Sequence, residues 1–360
     1  MLKIIHAADF HLDSPFAALS EEQAALRRRE QRQLLASLAE AAEGADIVLL
    51  PGDLLDSGVC HAETVEALEG FLNALPGRVF IAPGNHDYYA PESPWDRMEL
   101  RENIHIFTSP QPEPFQLPEL GCTVWGAAFT GPRSAGKLRS FRAPAEGVQL
   151  MLLHGDVGGG MGYDPIGESE IAASGLKYLA LGHVHTCSGL RQSGDTYWAY
   201  PGCLMGRGFD ETGDKGVYLG TLDRGEVTLD FIPLAWRRYL RARIDITGRD
   251  PELALQELMD RARAQDILRI VLTGERDENN EPDLTALTAL AAGYFYSADL
   301  EDRTVLAQSL WARMEEDTLT GLFLRTMRRR LDGAEAREKP VLERAIRFGL
   351  AALEGREEPK

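Results

Sequence analysis

Short apolar runs punctuate the first two thirds of the chain, each closed by Gly, Pro or Asp. They lie at residues 2–8 (LKIIHAA), 46–51 (DIVLLP), 78–83 (RVFIAP), 150–153 (LMLL) and 178–181 (YLAL). Runs this short and this uniformly apolar predict buried strands. Between the first two lies a stretch rich in Ala, Leu, Arg, Glu and Gln, residues 21–43, and a second such stretch follows at 62–74. Both predict helices. Segments 119–129, 196–200, 215–222 and 226–232 read as further strands. Strands alternating with amphipathic helices predict an α/β domain with helices on both faces of its sheet, ending near Pro233.

A smaller unit follows. Residues 239–247, 267–273 and 293–300 read as strands, separated by helical stretches at 251–264 and 283–292. This is a β-α-β-α-β module over residues 234–302. Residues 303–360 read as a helical tail: Pro340 suits a first helical position, and Leu342, Ala345, Ile346 and Gly349 recur at helical spacing. No internal repeat is visible, and the closing EGREEPK reads as frayed.

Composition narrows the class. At 360 residues the chain is long enough for two or three domains. No apolar stretch reaches the ~18 residues of a membrane span, and MLKIIHAADF is too short in its apolar part for a signal peptide. Four scattered cysteines without a CxxC pair argue against a zinc ribbon or a disulfide scaffold, and fit a cytoplasmic protein. The formal net charge is −18. Residues 1–233 carry 17 basic and 32 acidic side chains, against 21 and 24 in residues 234–360. So acidic a first domain is an unfavourable starting point for a nucleic-acid binder.

The chemistry sits where the strands end. There the chain places Asp9-Phe10-His11, Gly52-Asp53-Leu54-Leu55-Asp56, Gly84-Asn85-His86-Asp87, His154-Gly155 and Gly182-His183-Val184-His185. Open α/β sheets bind ligands outside the carboxyl ends of their strands, so the five clusters converge on one crevice. Oxygen and imidazole donors without thiolates suit Mn²⁺, Fe²⁺ or Zn²⁺. Asp9, His11, Asp53, Asn85, His154, His183 and His185 are too many for one ion and about right for two that share a carboxylate. Such a pair activates water and clamps a phosphate. In an extended GHVH segment, His183 and His185 share one face.

The order D-x-H, GD-x-x-D, GNHD, H and GHxH resembles the calcineurin-like metallophosphoesterases, whose fold is a four-layer α/β/β/α sandwich. The wording HAADFHLDSPF, GDLLDSG, PGNHD, LALGHVH and YPGCLMGRGFDETGDKG is similar to the SbcD-type DNA-repair exonucleases, and most similar to their short bacterial YhaO branch. The likeness is close over the catalytic domain, holds in outline over the small module, which would be a capping domain, and is loose over the tail. It implies that Asp9, His11, Asp53 and His185 hold one metal, most readily manganese. Asp53, Asn85, His154 and His183 would hold the other. His86 would be catalytic without being a ligand, and Asp87 would orient it. Asp56 stands where archaeal and eukaryotic members carry a histidine, so it is expected behind the ligands.

The remaining residues have plainer readings. His6 reads as a satisfied core residue, His61 and His105 as surface or loop residues, and Cys187 as a small hydrophobe. Arg133, Lys137, Arg139 and Arg142 lie in a segment, 121–145, that carries no acidic residue, and could track a phosphate backbone. The run at residues 158–162 lacks the Lys and Ser/Thr of a P-loop and reads as a loop. In the tail, Leu319, Leu322, Phe323 and Met327 share a helical face that either packs internally or binds a partner. The resemblance implies an SbcC-like SMC-type ATPase on these helices and DNA as substrate; a homodimer stays open, and no membrane is expected. Two other functions stay open: hydrolysis of a small phosphodiester or nucleotide, and a chiefly partner-binding subunit with weak nuclease activity.

Overall fold

The structure, a computed structural model, describes residues 1–17, 19–159, 163–223, 225–277, 280–335, 337–353 and 355. Gly160, Met161 and Gly162 of the glycine run, and residues 354 and 356–360 of the closing segment, lie outside the described residues. The chain divides into two compact units, Met1–Arg238 and Tyr239–Lys360.

In the first unit the apolar runs become the parallel strands of two six-stranded sheets. One sheet runs Glu226–Pro233, Gly216–Asp223, Leu2–His6, Ile47–Leu50, Arg78–Ile81, Ile104–Ile106. Its last four strands are parallel, and Gly216–Asp223 joins antiparallel with His6 opposite Tyr218. The other sheet runs Arg191–Ser193, Thr196–Ala199, Tyr178–Gly182, Val148–His154, Cys122–Gly126, Glu113–Leu117. Its four inner strands are parallel and both edges are antiparallel.

Alternation along these strands builds the layers. Ile5, Val48, Leu50, Val79 and Ile81 pack on Leu34, Leu38, Leu68 and Leu72 of the helices Glu21–Ala41 and Ala62–Ala74. Their neighbours Ile4, Ile47, Leu49 and Phe80 point the other way and meet Leu150, Leu152, Tyr178 and Ala180 of the second sheet. On that sheet's outer face Met151, Leu153, Leu179 and Leu181 pack with Ile171 of the helix Glu168–Ala173. The strands are apolar throughout because both of their faces are buried, in a four-layer α/β/β/α sandwich. The helix Glu21–Ala41 begins at a capping box in which Ser20 and Gln23 satisfy each other's backbone amides. Leu152 is fully buried between the sheets. Leu152→Ala is expected to cost about 2–5 kcal/mol in urea unfolding; an unchanged midpoint would contradict this packing.

One local reading changes. Segment 119–129 is not one strand: Gly121, at φ 63°, closes a short turn at Pro118–Leu120, and the strand starts at Cys122. Glu113–Leu117, which carries Pro114, forms a strand at the sheet edge, where a missing N–H is tolerated.

The second unit holds a parallel sheet of Tyr239–Asp245, Ile267–Thr273 and Ser297–Asp302, in that order. Ile244, Leu268, Ile270 and Leu272 form a core with Ala254 and Leu255 of the helix Pro251–Met259, and with Leu287 and Ala291 of the helix Leu284–Tyr294. After a short strand, Val305–Leu306, the helices Leu319–Asp332 and Lys339–Leu353 pair through Leu324, Met327, Ile346 and Leu350. No helix among the described residues is long and apolar enough to cross a membrane.

Candidate metal centre

The site begins with backbone. Asp9 (φ 54°), His11 (φ 45°), Asp53 (φ 53°) and His183 (φ 99°) all occupy the left-handed region just past strand ends. Each such residue costs roughly 1–3 kcal/mol unless its surroundings hold it there. Here they do. The Asp9 amide donates to Gly52 O (3.1 Å), the His11 amide to Asp53 O (2.9 Å), and Gln31 Nε2 to His11 O (2.9 Å). Asp87 is buried and accepts from four amides, those of Gly84 (2.7 Å), Asp53 (3.1 Å), Leu54 (2.8 Å) and Leu55 (3.3 Å). Glycine is required where these turns meet. A Cβ on Gly84 would lie 2.2 Å from Asp53 Oδ1, and one on Gly52, at φ 81°, would lie 2.6 Å from Gly84 N.

The side chains converge. Ligand atoms of Asp9, His11 and His185 lie within 4.8 Å of one another, as do those of Asp9, Asp53 and His154. A third such group joins His11, Asp53 and His86. Asp53 Oδ2 is 3.3 Å from His154 Nε2 and 3.7 Å from His11 Nε2. Asn85 Oδ1 is 3.0 Å from His154 Nε2. His183 enters differently: its amide donates to both oxygens of Asp9, and its ring lies against that of His154 at 5.1 Å. The His185 ring lies instead against that of His11, at 4.8 Å. The rings of His183 and His185 therefore part. The strand ends at Gly182 and His183 turns left-handed, so same-face alternation does not extend into this segment.

The ring nitrogens behind the cluster are committed. His11 Nδ1 donates to Asp56 Oδ1 (3.0 Å), His185 Nδ1 to Glu211 Oε1 (2.7 Å) and His154 Nδ1 to Pro51 O (3.0 Å). Carbonyls and carboxylates only accept, so each proton lies on Nδ1 and each Nε2 points inward. For His11 and His185 the two Nε2 atoms face each other at 3.1 Å. Two lone pairs at that distance repel unless a cation is shared between them. Burial pushes His11 down to about 4 against the pull of Asp56, and pushes His183 down to about 4, so both imidazoles stay neutral. Burial pushes the Asp9 carboxyl up to about 7, although His154 and His185 draw it down. Burial opposes a charge on His154, but Asp53 beside it prevails and raises it to about 9. A metal that binds such groups displaces the protons they would otherwise hold. Imidazole nitrogens, buried carboxylates and an amide oxygen fit hard or borderline divalent cations.

Asp87 is arranged otherwise than expected. His86 Nδ1 donates to Asp56 O (2.8 Å), and its amide donates to Asp53 Oδ1 (2.9 Å). Asp87 spends its carboxylate on backbone amides, so the Asp56 carbonyl, not Asp87, orients the His86 ring. Lys137 is no phosphate tracker. It is buried, with Nζ 3.3 Å from Asp164 Oδ2 and 3.7 Å from the centre of the Phe129 ring. Arg133, Arg139 and Arg142 are exposed. His6 is buried between Tyr178 Oη and Leu181 O, His61 sits exposed on Asp13, and Cys187 Sγ meets Tyr218 Oη. His105 is not a loop residue: it is half-buried in the strand Ile104–Ile106 among Phe80, Phe107 and Phe115.

Two residues beside this centre escape sequence reasoning, Arg207, which donates to Asp56 and Glu211, and Glu211, which accepts from His185. Burial works against a charge on Glu211, but hydrogen bonds from His185 and Arg207 outweigh it and hold the carboxyl far below its usual range. Both residues lie within GRGFDETGDKG, where no metal-ligand spacing marks them.

The class that this fold and centre define is confirmed by comparison. The calcineurin-like phosphoesterase family matches residues 2–187, more than half of the chain, and the chain belongs to that family of metallophosphoesterases, which use a dinuclear metal site. Among individual proteins it is similar to the uncharacterized metallophosphoesterase YhaO of Bacillus subtilis. The two are 31% identical over 278 residues, 72% of this chain and 67% of that one. It is also similar to the DNA double-strand break repair protein Mre11 of Saccharolobus solfataricus, 25% identical over 309 residues (77% of this chain, 76% of that protein). With Mre11 of Aeropyrum pernix it shares 26% identity over 224 residues (57% and 54%).

Proposed function

We propose that the protein is a two-metal phosphodiesterase that cuts DNA, as exonuclease or endonuclease, in DNA repair. The observation that carries this reading is the convergence of five strand-end blocks on one buried set of inward-facing donors. Similarity to two proteins named for double-strand break repair supports DNA as the substrate.

Asp9, His11, Asp53 and His185 would hold one ion, and Asp53, Asn85, His154 and His183 the other. Manganese suits this set best, ahead of Fe²⁺ and Zn²⁺. When bound, such ions supply Lewis acidity and an activated water at neutral pH. The chain's own residues do the rest. Asp53 gives one carboxylate to both sites. Its Oδ1 also receives the His86 amide, which fixes His86 relative to the centre. The His86 Nδ1–H is spent on Asp56 O, so Nε2 is the atom left for chemistry: it accepts in the neutral ring and donates a proton to a phosphate oxygen or to the leaving oxygen once the ring is protonated. Through four amides Asp87 ties residues 53–55 to Gly84, two positions before His86. Arg133, Arg139 and Arg142 would follow the phosphate backbone.

The acidic balance opposes DNA binding by the chain alone, and an SbcC-like SMC-type ATPase on the C-terminal helices would remedy it. Leu319 and Leu322 are exposed there, whereas Met327 is buried against the partner helix and Phe323 abuts Gly349. Leu322→Asp is therefore the substitution that probes partner binding without opening the helix pair. The same acidity favours a second reading, hydrolysis of a small phosphodiester or nucleotide. A manganese titration on linear duplex DNA and on a small chromogenic phosphodiester, side by side, separates the two. The proposal expects both to be cleaved, the duplex with a rate that falls steeply with salt and rises with the ATPase. Duplex DNA that resists cleavage at every manganese concentration, with the small ester hydrolysed, would establish the second reading.

A further inference from the structure

Five side chains close into a ring beside the metal centre. Arg207 Nη1 donates to Asp56 Oδ1 (3.1 Å), and Asp56 Oδ1 accepts from His11 Nδ1 (3.0 Å). On the other side Arg207 Nη2 donates to Glu211 Oε1 (2.7 Å), Arg207 Nε reaches both oxygens of the same carboxylate (3.2 and 3.3 Å), and Glu211 Oε1 accepts from His185 Nδ1 (2.7 Å). The ring's open end is the pair of Nε2 atoms of His11 and His185, 3.1 Å apart. Ser14 Oγ adds a hydrogen bond to Asp56 Oδ1 (3.0 Å), and the Arg207 amide adds one to Glu211 Oε2 (2.8 Å). Arg207 Nη2 also lies 3.1 Å from His185 Nδ1, since both atoms share Glu211 Oε1.

An arginine in this place is electrostatically odd. It is a fixed positive charge just behind two imidazoles that are to bind a dication, and Coulomb repulsion alone makes the metal bind more weakly. Its geometry explains it. Asp56 and Glu211 repel each other and belong to different loops. A planar guanidinium has donors on two edges and holds two carboxylates at a fixed separation, which a lysine ammonium on its flexible stem does not. The separation of the carboxylates sets the separation and tilt of the two imidazoles.

We propose that Arg207 is a positioning residue: through Asp56 and Glu211 it sets the spacing of His11 and His185, and so the affinity of the one metal those histidines hold. The inference rests on the two-metal reading of the site. It predicts the opposite sign to simple charge removal, because deleting the arginine loosens metal binding at one site and leaves the other alone.

The test is a Mn²⁺ titration of metal-stripped full-length protein, followed by electron paramagnetic resonance of the free ion, for the native chain, Arg207→Ala and Arg207→Lys. Native protein is expected to take up two Mn²⁺. Both variants are expected to keep one site at native affinity and to weaken the other about 10–100-fold, the range seen when groups behind metal ligands are removed. Arg207→Lys carries the test alone if Arg207→Ala fails to fold, since it keeps the charge and loses only the fork. Native or tighter binding at both sites in Arg207→Ala would overturn the proposal, and so would full rescue by lysine or equal weakening of both sites. Native protein that binds fewer than two ions would remove the two-metal reading itself.

Discussion

Asp53→Asn is expected to lose metal and nearly all phosphodiester hydrolysis while the fold survives. The carboxylate lies 3.3 Å from His154 Nε2 and 3.7 Å from His11 Nε2, between the two sets of donors, so one substitution weakens both sites. The loss in metal affinity should exceed the ~10–100-fold typical of groups one step removed from the metal. The backbone should tolerate the change. Residue 53 sits at φ 53°, a region that asparagine accepts readily, and its amide still reaches Asp87. Metal analysis beside a thermal melt checks the prediction. Two tightly bound ions and ordinary turnover in this variant would refute the shared role of Asp53.

His86→Ala is expected to separate chemistry from metal binding. The ring is exposed, its Nδ1 is committed to Asp56 O, and its backbone amide, which stays in the alanine variant, supplies the bond to Asp53. Both ions should remain while the rate falls by about 10²–10⁴-fold, the usual contribution of a positioned acid or base. His86 also lies within ligand distance of His11 and Asp53, so the opposite result has a clear meaning. One ion in place of two would make His86 a ligand and end its assignment as proton donor.

Much of this arrangement is legible in the sequence, for an identifiable reason. Strands buried on both faces are apolar throughout, so their ends are marked by the first Gly, Asp or Asn, and those ends carry the chemistry. What the sequence hides is direction and distance. Asp87 follows His86 directly, yet its carboxylate turns back into the protein to hold the amides of Gly84 and residues 53–55. Lys137 stands among exposed arginines, but Asp164, 27 residues away, takes it into the interior. His183 and His185 obey no strand alternation, because the backbone turns left-handed at the first of them. Arg207 meets Asp56 across 151 residues of sequence, a distance over which no local spacing carries information.

The central claim is a pair of metal ions sharing Asp53, and anomalous diffraction from crystals soaked in Mn²⁺ tests it most directly. The account predicts two peaks about 3.5–4 Å apart, the spacing usual for paired catalytic metals, with the Asp53 carboxylate between them. One peak should touch His11 and His185, the other Asn85 and His154. A single peak, or two peaks that leave Asp53 unligated, would contradict it.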